Sequence, residues 1–188
     1  MGLEVVTPAA VEPISVEEAK AHARILTDAD DALVGVLCKA ARRHVEARCN
    51  RSLAVQTYEL SLHDMPAHGW PWELPRPPLV SVESIVVRGP DGSLGAVDPS
   101  AYRVVLGTPG LVAPVGAWPS AARGPAAVTV RYVAGWTPEE LPEDARVALL
   151  MLVAHWYDRR EPVAAGSLSE VPLAVDAPLG GIDWRTRG

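Results

Sequence analysis

Apolar residues recur with a helical period in the first quarter of the chain. Ser15 and Glu18 have the spacing of a capping box, which predicts a short helix ending near residue 26. The acidic residues Asp28, Asp30 and Asp31 then start a second helix, because negative charge is favourable at a helix N-terminus, and Asn50 is expected to end it in the left-handed conformation. The predicted buried face of this second helix has apolar spacings of three and four: Leu33, Leu37, Ala40, His44 and Ala47, with Val34, Ala41 and Val45 alongside.

The period changes to two in the middle of the chain, where short β-like runs are broken by Gly and Pro. Four runs are predicted as strands: residues 55–62, 80–88, 102–106 and 128–133. A Gly-Pro-Asp-Gly turn at residues 89–92 follows the second run. We therefore expect a small, mostly antiparallel sheet inserted between helices.

The segment from Pro142 to Tyr157 predicts a third long helix, and it is apolar nearly all the way round. Such a helix must be covered on every side. Two partner helices and a small sheet offer too little cover, so we expect another copy of the chain to cover part of it. The expected fold class is thus α+β, with a core bundle of three main helices.

Residues 163–188 are apolar but show no helical period, and prolines and a Gly-Gly pair interrupt them. Because a disordered linker is normally more polar, we expect this segment to become ordered as an extended arm against a partner. The predicted boundaries place N-terminal core helices in residues 1–52, the β insertion in 53–135, the C-terminal core helix in 136–162 and the arm in 163–188.

The net charge of −6 argues against a protein whose main task is to grip phosphate. The second helix nevertheless carries a basic set: Lys39, Arg42, Arg43, Arg48 and, just beyond its end, Arg51. This face is either solvated or a contact surface for an acidic neighbour. No signal peptide is visible, and the longest apolar run is too short to cross a bilayer, so we expect a protein made in the cytoplasm with no membrane partner.

Candidate catalytic groups are sparse. His63, Asp64 and His68 lie near one another without a third His or Cys ligand, and His155 with Asp158 fits a helix-end pair as well as an acid–base pair. The two cysteines, Cys38 and Cys49, are too far apart along one helix for a disulfide. No phosphate-binding or nucleophile motif is present in the sequence, so no enzyme activity and no cofactor are expected.

Several stretches, taken in order, resemble one family. They are ISVEEAKAH at residues 14–22 with the acidic turn 28–31, LPRPPLVSV at 74–82, VTVRYVAG at 128–135, and VAHWY at 153–157 followed by REPV at 160–163 and GSLSEVP at 166–172. The set is similar to the phage head–tail connector (adaptor) family, particularly members from siphophages and gene transfer agents.

This resemblance implies a structural role without catalysis. The chain would form a ring of about a dozen copies at the neck of a virion or phage-like particle, between the portal protein and the next tail component, a stopper or tail terminator. DNA would pass through the central channel without specific binding, since acidic walls repel its phosphates.

Three sets of contact residues are predicted. The portal-binding arm would use Leu168, Val171, Leu173, Val175, Leu179, Trp184 and Arg185. The subunit interface would use Leu149, Leu152, Trp156, Arg42 and Arg43, and the tail-side contacts Trp70 and Trp72. The alternative from another class is a small DNA-binding regulator of the helix-turn-helix kind, in which the basic face of the second helix would meet phosphates.

Overall fold

The computed structural model describes residues 1–65, 71–159 and 179–184. They form two compact units. Residues 1–10 and 55–135 make a unit that we call the β unit. The rest, residues 11–54 and the described part of 136–188, makes the helical unit.

The β unit contains two antiparallel sheets. The five-stranded sheet has the order β1-β2-β8-β4-β5, and the three-stranded sheet has the order β3-β7-β6. The strands are β1 Gly2–Thr7, β2 Gln56–Leu62, β3 Trp72–Glu73, β4 Leu79–Arg88, β5 Leu94–Ala96, β6 Tyr102–Val105, β7 Leu111–Pro114 and β8 Val128–Ala134. A single turn of 3-10 helix, Pro99–Ala101, precedes β6.

Alternating apolar residues explain how the larger sheet buries one face. Tyr58 and Leu60 of β2 lie opposite Tyr132 and Val130 of β8, and all four are buried. The two tyrosine rings stack with centroids 5.6 Å apart. The alternation predicted for residues 55–62 is therefore confirmed, and β8 is the central strand.

The helical unit is built from α1 Val16–Ala23, α2 Asp31–Cys49 and α3 Glu143–Asp158. The Ser15 half of the predicted capping box is confirmed, since the Ser15 hydroxyl accepts a hydrogen bond from the Glu18 amide at 3.0 Å, while the Glu18 carboxylate pairs with Arg146 at 3.0 Å. Asn50 ends α2 in the left-handed conformation at φ 53°, as predicted. At one end of the unit the Tyr157 hydroxyl donates to Asp30 at 2.6 Å. This bond joins the end of α3 to the start of α2.

The buried face of α2 differs from the predicted one. Val34, Ala41 and Val45, expected beside that face, are completely buried and form its centre together with Cys38 and Cys49. Leu33, Ala40 and Ala47, which were expected in the core, are exposed. The prediction was wrong by a rotation of the helix, because apolar residues occupy both faces and their spacing alone does not show which face is covered.

The predicted helical core with a small inserted sheet is also wrong. Among the described residues, eight strands form two sheets with a hydrophobic core of their own, and the first strand comes from the N-terminal residues rather than from an insertion. Four of these strands, β1, β3, β5 and β7, were not predicted, because they are short or carry Gly or Pro. The expected arm differs too, since Leu179 and Ile182 belong to the core of the helical unit.

Candidate functional site

The described residues offer no evident catalytic or metal centre. Within residues 1–65, 71–159 and 179–184, no three His, Cys, Asp or Glu side chains are grouped to hold a metal ion. The exposed Asp64 pairs with Arg123 at 3.2 Å, and its neighbour His63 is exposed as well. No helix in these ranges is both long and apolar enough to span a membrane.

Arg42, predicted at a subunit interface, is buried in an ion network. Its Nε lies 2.7 Å from Glu12 Oε2, and its Nη1 lies 2.9 Å from Glu46 Oε2. Glu46 also accepts a hydrogen bond from the Leu53 amide at 2.9 Å, and burial raises the pKa of this carboxyl while Arg42 opposes the rise. The charge of Arg42 is therefore balanced within the chain, and a contact of Arg42 with another copy stays a prediction.

Arg51 is the centre of a second buried cluster. Its guanidinium lies 5.4 Å from the ring centroid of Trp136 and 5.3 Å from that of Trp184, so it is held between two indoles. Its Nε donates to the Ile182 carbonyl, and the Trp184 amide donates to the Cys49 carbonyl at 3.0 Å. These contacts attach residues 179–184 to the C-terminal end of α2.

The predicted arm residues thus divide into two groups. Leu179 is 3% exposed in the core of the helical unit, and Trp184 contacts Arg51. The other five, Leu168, Val171, Leu173, Val175 and Arg185, lie outside the described residues. Portal binding by any of these residues stays a prediction.

The predicted interface residues of α3 face inward. Leu149 and Leu152 have no exposed surface, and the partly buried Trp156 makes an edge contact with His44 at a centroid distance of 5.9 Å. Three helices and residues 179–184 supply this cover within one chain. A role of these residues between copies stays a prediction, while their role in the core is evident.

Trp72, predicted as a tail-side contact, is 8% exposed in the core of the β unit. Its ring meets Trp118 edge to face at 5.8 Å, and Trp118 stacks on Tyr102 at 6.5 Å. Its predicted partner in that contact, Trp70, lies outside the described residues. Binding of a tail component by either tryptophan stays a prediction.

Two outer strips lie on the helical unit. Sequence reasoning named Arg43 as a contact residue but placed Leu33, Ala40 and Ala47 on the buried face of α2. The outer α2 strip lies opposite the buried face of α2 and consists of five exposed residues: Leu33, Val36, Ala40, Arg43 and Ala47. The outer α3 strip lies opposite the buried face of α3 and consists of the exposed Glu143 and Val147 and the half-buried Leu150 and Ala154. The signal that could have found them is the spacing of three and four residues, once the buried face is known.

Exposed acidic and basic residues extend these strips. Lys39 is exposed beside the outer α2 strip, while Glu139 is exposed in the turn before α3. None of Lys39, Arg43, Glu139 and Glu143 forms an ion pair with another described residue. The helical unit therefore presents unpaired charge of both signs beside exposed apolar side chains.

Solved structures of similar fold come from gene transfer agent particles. The neck of an empty particle, computed with sixfold symmetry, contains a chain that matches with a TM-score of 0.77 and 24% identity, over 96% of this chain and 94% of that one. A chain of the native virion matches with a TM-score of 0.77 and 24% identity, over 97% and 95%. A chain from the native neck, computed with twelvefold symmetry, matches with a TM-score of 0.76 and 24% identity, over 96% and 94%.

No curated protein sequence matches the chain significantly. The head completion protein family matches residues 12–166, and the chain belongs to this family. The resemblance to proteins that connect head and tail, which the sequence indicated, is thereby confirmed.

Proposed function

We propose that the chain is a head–tail adaptor, one subunit of a ring that joins the portal to the tail of a phage or gene transfer agent particle. The observation that carries this proposal is the match of residues 12–166 to the head completion protein family. The likeness to chains from particle necks over nearly the whole length supports it. Catalysis has no part in this role.

In the proposed ring, about a dozen copies surround a channel through which DNA passes. One side of the ring meets the portal, and the other meets a stopper or tail terminator. The net charge of −6 per chain supports passage without tight binding, because acidic walls repel the phosphate backbone.

The alternative, a DNA-binding regulator, is less well supported, because most of the basic side chains predicted to meet phosphates are engaged within the chain. Arg42 and Arg51 are buried in internal clusters, and Arg48 pairs with Asp183 at 3.4 Å. Only Lys39 and Arg43 of the predicted basic face are exposed without an ion pair in the described part of the chain. Salt-dependent binding of a short DNA duplex by the purified protein would favour this alternative.

The proposal is tested by removing the gene for the chain from the particle's own gene set. We expect heads without attached tails, and we expect tail joining to return when purified protein is added to these heads. Electron microscopy of the particles measures the fraction with tails. An unchanged fraction in the absence of the chain would refute the adaptor role.

A further inference from the structure

The two outer strips of the helical unit have the spacing of helix-packing surfaces. In the outer α2 strip, Leu33, Val36, Ala40, Arg43 and Ala47 follow one another at spacings of three and four, as in the seam of a coiled coil. In the outer α3 strip, Glu143, Val147, Leu150 and Ala154 do the same. Val36 is 62% exposed and Val147 is 44% exposed, so each strip leaves a large apolar side chain in water.

The strips are similar in length and opposite in charge. They span residues 33–47 and 143–154, which correspond to about 21 Å and about 17 Å at 1.5 Å per residue. The α2 strip is basic through Arg43 with Lys39 beside it, whereas the α3 strip begins with Glu143, four residues after the exposed Glu139 in the preceding turn. Both helices direct their buried faces to one common core, so the two strips face away from it in different directions.

We propose that the outer α2 strip of one copy packs against the outer α3 strip of the next copy. This inference rests on the proposed function, since it names the surfaces that would build the ring. Two different surfaces that complement each other give a head-to-tail contact, which builds a ring when the rotation between copies closes and does not give a twofold dimer. A second copy is the occupant because each strip supplies the charge that the other lacks.

Charge reversal tests this contact. The double variant Lys39→Glu/Arg43→Glu makes the outer α2 strip acidic, so that both strips of the chain are then acidic. The double variant Glu139→Lys/Glu143→Lys makes the outer α3 strip basic, so that both strips are then basic. Each variant alone should lose ring assembly at the particle neck, because like charges then face each other at every contact. When the two variants are mixed, every acidic α2 strip can meet a basic α3 strip, so rings should return with the variants alternating in equal numbers.

The measurement is electron microscopy of necks on heads that lack the wild-type chain, with native mass spectrometry of the mixed rings. Arg24→Glu/Arg103→Glu is the matched control for Lys39→Glu/Arg43→Glu, since both arginines are exposed, lie outside the strips and give the same change of charge as that variant. The control should assemble, and circular dichroism should show that all variants are folded. Rings from each variant alone, or no recovery on mixing, would overturn the interface. Absence of the wild-type chain from the neck would instead overturn the proposed function.

Discussion

Residues 179–184 supply a sharp test of whether the end of the chain is a core element or a detachable arm. Leu179 and Ile182 are 3% and 6% exposed among the residues of the helical core. We therefore predict that truncation after residue 178 destabilises the helical unit. Truncation after Trp184 is the matched control, because every described contact of this segment lies at or before that residue.

The magnitude follows from the side chains that are lost. Replacing a buried Leu or Ile by Ala costs about 2–5 kcal/mol, so each of Leu179→Ala and Ile182→Ala should lower the free energy of unfolding by this amount. Truncation after 178 also removes the carbonyl and one of the two indoles that hold Arg51, a buried charge. The combined loss is a large share of the 5–15 kcal/mol that keeps a typical domain folded.

Urea unfolding followed by the helical circular dichroism signal measures this loss. With a slope of about 1–3 kcal/mol per molar urea, a loss of about 3 kcal/mol moves the midpoint down by about 1–3 M. The full chain and the truncation after Trp184 should share one midpoint. If truncation after 178 leaves that midpoint unchanged as well, residues 179–184 are not part of the folded core and the reasoning is refuted.

Three further predictions concern single residues. Glu46→Ala should lower the free energy of unfolding, measured in urea, by about 3–5 kcal/mol, because Arg42 and the Leu53 amide lose a buried acceptor. The control Glu17→Ala, at an exposed position, should change this free energy by less than about 0.5 kcal/mol. Equal effects of the two substitutions would contradict the ion network of Arg42 and Glu46. Trp72→Ala should cost about 3–5 kcal/mol by thermal unfolding, whereas a surface contact residue would leave stability unchanged. Burial raises the pKa of the Cys38 thiol to about 11, so a thiol reagent at neutral pH should label Cys38 only after the protein unfolds. Rapid labelling of Cys38 in the folded protein would count against this burial.

The order of helices and long strands could be predicted from local sequence. Capping at Ser15 and Asn50 depends on neighbouring residues, and the alternation in β2 depends on its own side chains, so both are visible in the chain itself. The extent of the sheets could not be predicted in the same way. β1 becomes a strand through pairing with β2, which lies some fifty residues later in the chain.

The candidate site was harder to predict because charge pairing is a property of the folded chain. Arg42 and Arg43 are neighbours in sequence, yet one is buried against Glu12 and the other is exposed. Nothing local distinguishes them, since Glu12 lies 30 residues away. The apolar C-terminal residues did indicate a need for cover, and for Leu179 and Ile182 that cover is the chain's own helical unit.

The chain passes back and forth between the two units, and this has a consequence for synthesis. β1 leaves the ribosome first, but its partner β2 follows only after α1 and α2, and the central strand β8 ends at Ala134. At about 5–20 residues per second, β1 waits roughly 2–10 s for its first neighbour. The helical unit in turn waits for α3. The β unit is therefore complete only once β8 has been made, and the helical unit only once residues 179–184 have followed α3.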